Sequence, residues 1–391
     1  MKRRTFLRTA LSAAALGALG GPAASVSFGA APANSNYGNL LVLIELKGGN
    51  DGLNTVVPFT DASYYALRPK IAIERDAVIQ LSDRAGLHPS LAPLLPLWKD
   101  RKLAILQGVG YTDPNLSHFR SIEIWETASK SDEYLPEGWL TRAFAAAPTP
   151  RAFAADGVII GSNDLGPLAG GGTRVVALAN TDQFLRQARL ASPAGQSRNK
   201  ALEHILKVEA DIVQAASQLD TRHAFNTEFP PGAFGNAIRT ASQVIANPGG
   251  VAVVRVTLSG FDTHSGQPAT QARLLGEVAH GIVALKSALD ELGRWDSTLL
   301  LTYAEFGRRP KENLSNGTDH GTANVHFALG GRVAGGFYGA SASLDRLGGD
   351  GNTGYALDFR NVYATVLERW WNAPSAATLG GKFAPVGFLQ A

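Results

Sequence analysis

The sequence predicts an α/β protein built on a largely parallel sheet with helices on both faces. Three observations predict it. First, residues 40–44, 251–258 and 299–303 are near-continuous apolar runs of strand length, as expected of strands buried on both faces. Second, each run stops at an acid. The first passes through Glu45 into Gly48-Gly49-Asn50-Asp51, the second reaches Asp262-Thr263-His264, and the third reaches Glu305 with Arg308 and Arg309 just beyond. Third, residues 274–292 form a long amphipathic helix pattern between the second and third runs, a βαβ arrangement. Sheets of this kind bind ligands beyond the carboxyl ends of their strands. Acids and histidines gathered there, with Asp319 and His320 following downstream, point to a metal site and an enzyme.

The remaining elements follow in chain order. Residues 88–98 read as a short helix punctuated by prolines, feeding a strand at 103–106. After Gly108-Val109-Gly110 comes Asp113-Pro114-Asn115-Leu116-Ser117-His118-Phe119-Arg120, then a helical pattern over 121–127. Ser117 therefore falls at or near a helix N-terminus, where free backbone N–H groups favour an anion. Short strands are predicted at 158–160 and 175–178, and helices at 202–219 and 233–246. Pro/Gly turns at Pro230-Pro231-Gly232 and Asn247-Pro248-Gly249-Gly250 punctuate this region. Residues 130–250 read as an insertion or cap within a single domain over 34–391. A helix over 359–371 ends in Trp370 and Trp371, read as packing residues.

The first 33 residues read as an export signal. Lys2-Arg3-Arg4-Thr5-Phe6-Leu7-Arg8 is a twin-arginine pattern, followed by an uncharged Ala/Leu-rich stretch too short to span a bilayer. Ala31-Pro32-Ala33 offers a small-residue cleavage site. The expectation is a protein carried by the Tat translocon to the periplasm or beyond. The leader holds four basic residues and no acid, so its removal takes the formal charge from +3 to −1. Nothing remains that argues for nucleic acid or an anionic membrane as a partner. With Cys at 0 and Met1 as the single methionine, disulfides, thiolate nucleophiles, cysteine zinc sites and a lipoprotein anchor are excluded.

Taken together, Gly48-Gly49-Asn50-Asp51-Gly52-Leu53-Asn54, Ser117-His118-Phe119-Arg120, Phe261-Asp262-Thr263-His264, Glu305-Phe306-Gly307-Arg308 and Thr318-Asp319-His320-Gly321-Thr322 resemble the bacterial "domain of unknown function 1501" family. That family is Tat-exported and grouped with the alkaline-phosphatase-like superfamily of phosphatases, sulfatases and phosphomutases. The resemblance implies that Asp51 opens the metal site and that Ser117 is the nucleophile, coordinated to metal. It pairs Asp262 with His264 on one metal and assigns Glu305 to the other. His320 matches the last histidine ligand, with Asp319 a ligand or its neighbour. The implied cofactor is one or two divalent ions, Zn, Mn, Mg or Ca. The implied substrate is a small anionic ester. Two departures stand out. Glu305-Phe306 replaces the superfamily's Asp-His pair, removing one imidazole. The serine segment also lacks the signature for making formylglycine, which argues against that type of sulfatase.

The residues themselves are compatible with these roles. Asp262 and His264 are two apart and share one side of an extended segment. Oxygen ligands with imidazoles suit the four ions named, and two metals about 4 Å apart can clamp an in-line displacement. Arg120 and Arg308, with Arg309, are available to hold the non-bridging oxygens of an ester. Plainer readings stand beside them: Asp51 as a turn aspartate, Ser117 as a helix cap, Glu305 as the partner of Arg308 and Arg309. His118 reads as a structural neighbour of the site and His326 as a satisfied core histidine. Two functions remain open: a metal-dependent hydrolase of phosphate or sulfate esters, or an exported binding or assembly protein with a degenerate metal site.

Overall fold

The computed structural model describes residues 35–178, 223–341 and 343–390. The leader and the helix expected over 202–219 lie outside the described residues. The strands are β1 (Leu40–Lys47), β2 (Val56–Val57), β3 (Ile79–Gln80), β4 (Gly86–Leu87), β5 (Leu103–Gly110), β6 (Ala155–Ile160), β7 (Val175–Leu178), β8 (Val251–Ser259), β9 (Thr298–Tyr303), β10 (Arg308–Glu312), β11 (Thr318–His320), β12 (Asn324–Leu329), β13 (Gly336–Gly339) and β14 (Leu357–Asp358). The central sheet has the order β13-β5-β12-β9-β1-β8-β6-β7, with β14 also paired to β5. β1 lies between β8 and β9, parallel to both. Among the described strands of this sheet, only β12 runs antiparallel to its neighbours. The architecture is therefore α/β around a mostly parallel sheet.

Strand periodicity sorts β1 between two apolar layers. Leu40, Val42, Ile44 and Leu46 pack with the helices Gly232–Ile245 and Gln267–Glu291. Leu41 and Leu43 pack on the opposite face with Trp125, Trp139, Tyr363 and Trp371. The helix expected over 274–292 thus starts earlier, at Gln267, behind Gly266 and with a proline in its first turn, where a missing N–H costs nothing. Prolines have the opposite effect at 88–98. There the chain makes a 3₁₀ turn, Pro89–Leu94, before the short helix Leu95–Lys99.

Within the region expected to form an insertion or cap, two described strands join the central sheet. β6 pairs in parallel with β8, and β7 with β6. The C-terminal helix, Phe359–Ala364, passes into a π-helical turn, Thr365–Trp370. Trp370 and Trp371 are packing residues, and both indoles donate back to the start of the chain, to Leu40 O at 3.1 Å and Asn39 O at 2.7 Å. Among the described residues no helix is long and apolar enough to cross a membrane.

The Arg255 side chain lies fully inside this frame. Arg255 on β8 donates to Glu45 on β1 at 2.8 Å, to Glu126 on the helix His118–Thr127 at 3.0 Å and to Tyr303 on β9 at 2.8 Å. One guanidinium cannot neutralise two buried carboxylates. Burial pushes Glu126 up to about 8 against the pull of Arg255, so Glu126 is largely protonated at neutral pH. Arg255→Met should therefore strand Glu45 as an unpaired buried charge and cost about 3–5 kcal/mol. Glu126→Gln, which removes no charge at pH 7, should cost less than about 1 kcal/mol. Urea unfolding at pH 7 separates the two variants by midpoint, and equal losses would refute the protonation assignment.

Candidate metal centre

The turn after β1 sets the floor of the site. Gly48 and Gly49 have φ values of +116° and +80°, open to glycine and strained for other residues. A Cβ on Gly48 would lie 2.4 Å from Asp262 N, and one on Gly49 would lie 2.5 Å from the Phe306 ring. This backbone aims two N–H groups at Glu305, beyond β9. Gly48 donates to Glu305 Oε1 at 2.9 Å and Gly49 to Oε2 at 3.1 Å. The same carboxylate meets His118 Nδ1 at 2.9 Å, which ties β1, β9 and the helix His118–Thr127 together.

Above it the imidazoles converge. One donor atom each from His118, Asp262 and His320 lies within 4.8 Å of the others. His264 Nε2 is 3.0 Å from Asp262 Oδ1 and 2.9 Å from His320 Nε2. The other ring nitrogens point outward: His320 Nδ1 to Leu116 O at 2.7 Å, and His264 Nδ1 toward Asp319 Oδ1 at 3.6 Å. Asp319 also accepts from Asn313 at 3.3 Å. Asp262 is gripped from below by Arg308 at 2.7 Å. Burial would raise its carboxyl, but the Arg308 hydrogen bond and charge prevail and hold it below the usual range. The bond to Glu305 raises His118, whereas burial lowers His320.

The other sequence-predicted residues have different surroundings. Asp51 is fully buried and caps the helix Gly52–Thr55, accepting from Leu53 N at 3.1 Å. Its second oxygen pairs with buried Arg68 at 2.5 Å and accepts from Gln267. The structure does not bring it into the cluster. Arg120, expected to grip an ester, turns away and donates to Lys130 O at 3.0 Å and Ser131 O at 3.1 Å, with its guanidinium 3.9 Å from the Tyr134 ring centre. Arg308 is likewise unavailable to an ester. Besides Asp262 it bonds Gly49 O at 2.7 Å, Thr318 O at 3.0 Å and Phe261 O at 3.1 Å. In both cases backbone carbonyls take up the guanidinium donors. Ser117 takes the N-cap position with extended backbone but makes no side-chain cap bond, so its hydroxyl is exposed and uncommitted. His326 is buried against Trp125, with neither ring nitrogen hydrogen-bonded among the described residues, and burial takes it down to about 3.

The donors fit one cation. Asp262, His264 and His320 turn free atoms toward a common space. Asp51 is already neutralised by Arg68, and Glu305 is held by two backbone N–H groups. The Phe306 ring, 4.9 Å from His118 and 4.5 Å from His320, supplies no donor beside them, and among the described residues one group of donor atoms is close enough to hold a cation. Sequence reasoning missed the place of His118 in the cluster. The signal was its position, the first helical residue after the serine, at the edge where the acids collect. Nothing in the sequence marked Arg68.

Fold and site together define an α/β protein with an imidazole–carboxylate centre at the carboxyl edge of its sheet. The chain belongs to the protein of unknown function DUF1501 family, matched over residues 39–370. No curated protein matches it. Among solved structures it is similar to the phosphonate monoester hydrolase SpPMH from Silicibacter pomeroyi, at 11% identity over 88% of this chain and 75% of that one, TM-score 0.42. It is also similar to the zinc complex of the C-terminal periplasmic domain of EcEptC from Escherichia coli, at 12% identity over 76% of each chain, TM-score 0.36. A third similarity is to the alkaline phosphatase of the Antarctic bacterium TAB5, at 11% identity over 76% and 94%, TM-score 0.33.

The pair His118–Glu305 sets a pH dependence in metal-free protein. A histidine raised on folding stabilises fully below its unfolded value near 6.5, and that contribution is lost as pH rises through the higher folded value. Asp262, lowered on folding, contributes above the ordinary value of 3.8 and loses it as pH falls. Urea unfolding between pH 6 and 9 should show stability falling with pH, and Glu305→Gln should flatten that slope. An unchanged slope would refute the pairing.

Proposed function

We propose that this protein is an exported, metal-dependent hydrolase of phosphate or related anionic esters, with Ser117 as nucleophile. The observation that carries the reading is the free hydroxyl of Ser117, at an uncapped helix N-terminus and one residue before an imidazole of the cluster. Asp262, His264 and His320 would hold the cation, with Asp319 steadying His264. When bound, the cation supplies charge that polarises the ester and favours the serine alkoxide. The protein's own part is to present the ester. Uncapped N–H groups of the first helical turn attract its anionic oxygens, while Arg308 fixes Asp262 rather than the substrate. Ser117 Oγ forms a bond to the phosphorus or sulfur as the ester oxygen leaves and takes a proton. Water then cleaves the seryl ester and restores the hydroxyl. The twin-arginine leader supports export.

A second reading, a non-catalytic exported binding or assembly protein, is favoured by the commitment of Arg120 and Arg308 to backbone carbonyls. Export would be tested by fusing residues 1–33 to a reporter that needs the Tat translocon, where Lys at both Arg3 and Arg4 should abolish transport. Metal-loaded protein should hydrolyse at least one aryl phosphate, phosphodiester or sulfate monoester. Ser117→Ala should lower kcat by at least ~100-fold with metal content unchanged, and, since no cap bond is lost, with stability nearly unchanged. Failure across all three ester classes and several metals would favour the binding protein. Unchanged kcat in Ser117→Ala would keep a hydrolase and reject the seryl step.

A further inference from the structure

We infer that His118 is itself a metal ligand, so that His118, His264, His320 and Asp262 form one centre of three imidazoles and a carboxylate. Glu305 holds His118 in the ligating tautomer. This rests on the cation proposed above and deepens it by assigning a fourth ligand and the class of metal.

The argument is one of tautomers. Glu305 already accepts from Gly48 and Gly49, which keeps it an acceptor. The His118 nitrogen facing it at 2.9 Å, Nδ1, therefore carries the hydrogen. In the neutral ring Nε2 then presents a lone pair. That atom is buried and has no hydrogen-bond partner, yet it faces Asp262 Oδ2 at 3.4 Å. His320 repeats the arrangement. Leu116 O can only accept, so His320 Nδ1 holds the hydrogen and Nε2 turns a lone pair toward Asp262 Oδ1 at 3.3 Å and His264 Nε2 at 2.9 Å. One donor atom each from His118, His320 and Asp262 thus lies within 4.8 Å of the others, a spacing at which a single dication can take all three.

The outer partners fit the same conclusion. Ligating histidines nearly always give their other N–H to a carboxylate or backbone carbonyl, which fixes the ring. Glu305 and Leu116 O stand in those places for His118 and His320, and Asp319 Oδ1 lies 3.6 Å from His264 Nδ1. Three imidazoles and one carboxylate suit a borderline-soft, four-coordinate ion such as Zn²⁺. Mg²⁺ and Ca²⁺ require sets dominated by oxygen.

The test uses the full chain, stripped with chelator and titrated with Zn²⁺ against a chromogenic competitor, with Co²⁺ absorption as a second readout. One Zn²⁺ per chain is expected, undisturbed by millimolar Mg²⁺ or Ca²⁺. His118→Ala and His118→Gln should each weaken Zn²⁺ binding by ~100-fold or more and alter the Co²⁺ spectrum. Glu305→Gln should weaken binding by ~10–100-fold. His264→Ala serves as the reference loss, and circular dichroism confirms that each variant folds. If either folded His118 variant keeps wild-type Zn²⁺ affinity and an unchanged Co²⁺ spectrum while His264→Ala loses both, His118 is not a ligand. Wild-type protein that binds no Zn²⁺ overturns the centre altogether. Binding as described without ester hydrolysis supports the centre and sinks only the hydrolase reading.

Discussion

The guanidinium of Arg308 is the constraint on which the site depends. It is buried where the turns after β1 and β8 meet the β10–β11 hairpin, and it bonds carbonyls from all three together with Asp262. These segments bond one another only in places, Phe261 N–H to Lys47 O at 3.1 Å and Thr318 N–H to Thr263 O at 3.1 Å, and Arg308 supplies donors to carbonyls beyond those. A buried, unpaired carbonyl is costly. A planar group with five donors removes that cost at several positions together, and its remaining charge sets where the Asp262 carboxylate stands. The centre is thus assembled from beneath by a residue that need not touch any ligand.

The two other strand-end acids are neutralised by the protein itself. Asp51 has Arg68, and Glu305 has the glycine amides and His118. An acid that is deeply buried must find such partners or lose its charge. Once they are in place it has little left to offer a cation. The same edge therefore holds one exposed, uncommitted group of donors, on the side of Asp262, His264 and His320. Phe306 completes the division, since its ring lies tilted against the imidazoles and contributes no donor.

Much of this was legible in the amino-acid sequence, for physical reasons. Strands covered on both faces are apolar at nearly every position, which exposed β1, β8 and β9. The 3.6-residue period exposed most of the helix Gln267–Glu291, and the indoles at 370–371 read correctly as packing groups. Other features carry no periodic signal. The short runs that became β6 and β7 say nothing about which sheet they join, and the apolar run of β12 does not reveal its direction. Polar partnerships were hidden most deeply. Arg120 is near Ser117 in sequence, but the helix carries it round to the carbonyls of residues 130–133. Arg68 meets Asp51 only because the chain folds back on itself. His118 appeared an onlooker until the turn after β1 supplied Glu305 as its partner.

The indole bonds from Trp370 and Trp371 to Leu40 O and Asn39 O have a consequence for how the chain comes off the ribosome. They join groups 330 and 332 residues apart, and β1 lies between two strands that follow it in the chain by some two hundred residues or more. Until β8 and β9 have been made, the segment 40–47 is a sticky ribbon with both edges open, the kind of segment that recruits other chains. Pairing of β1 therefore waits for residues 251–303, and whatever shields that ribbon until then must act on the nascent chain.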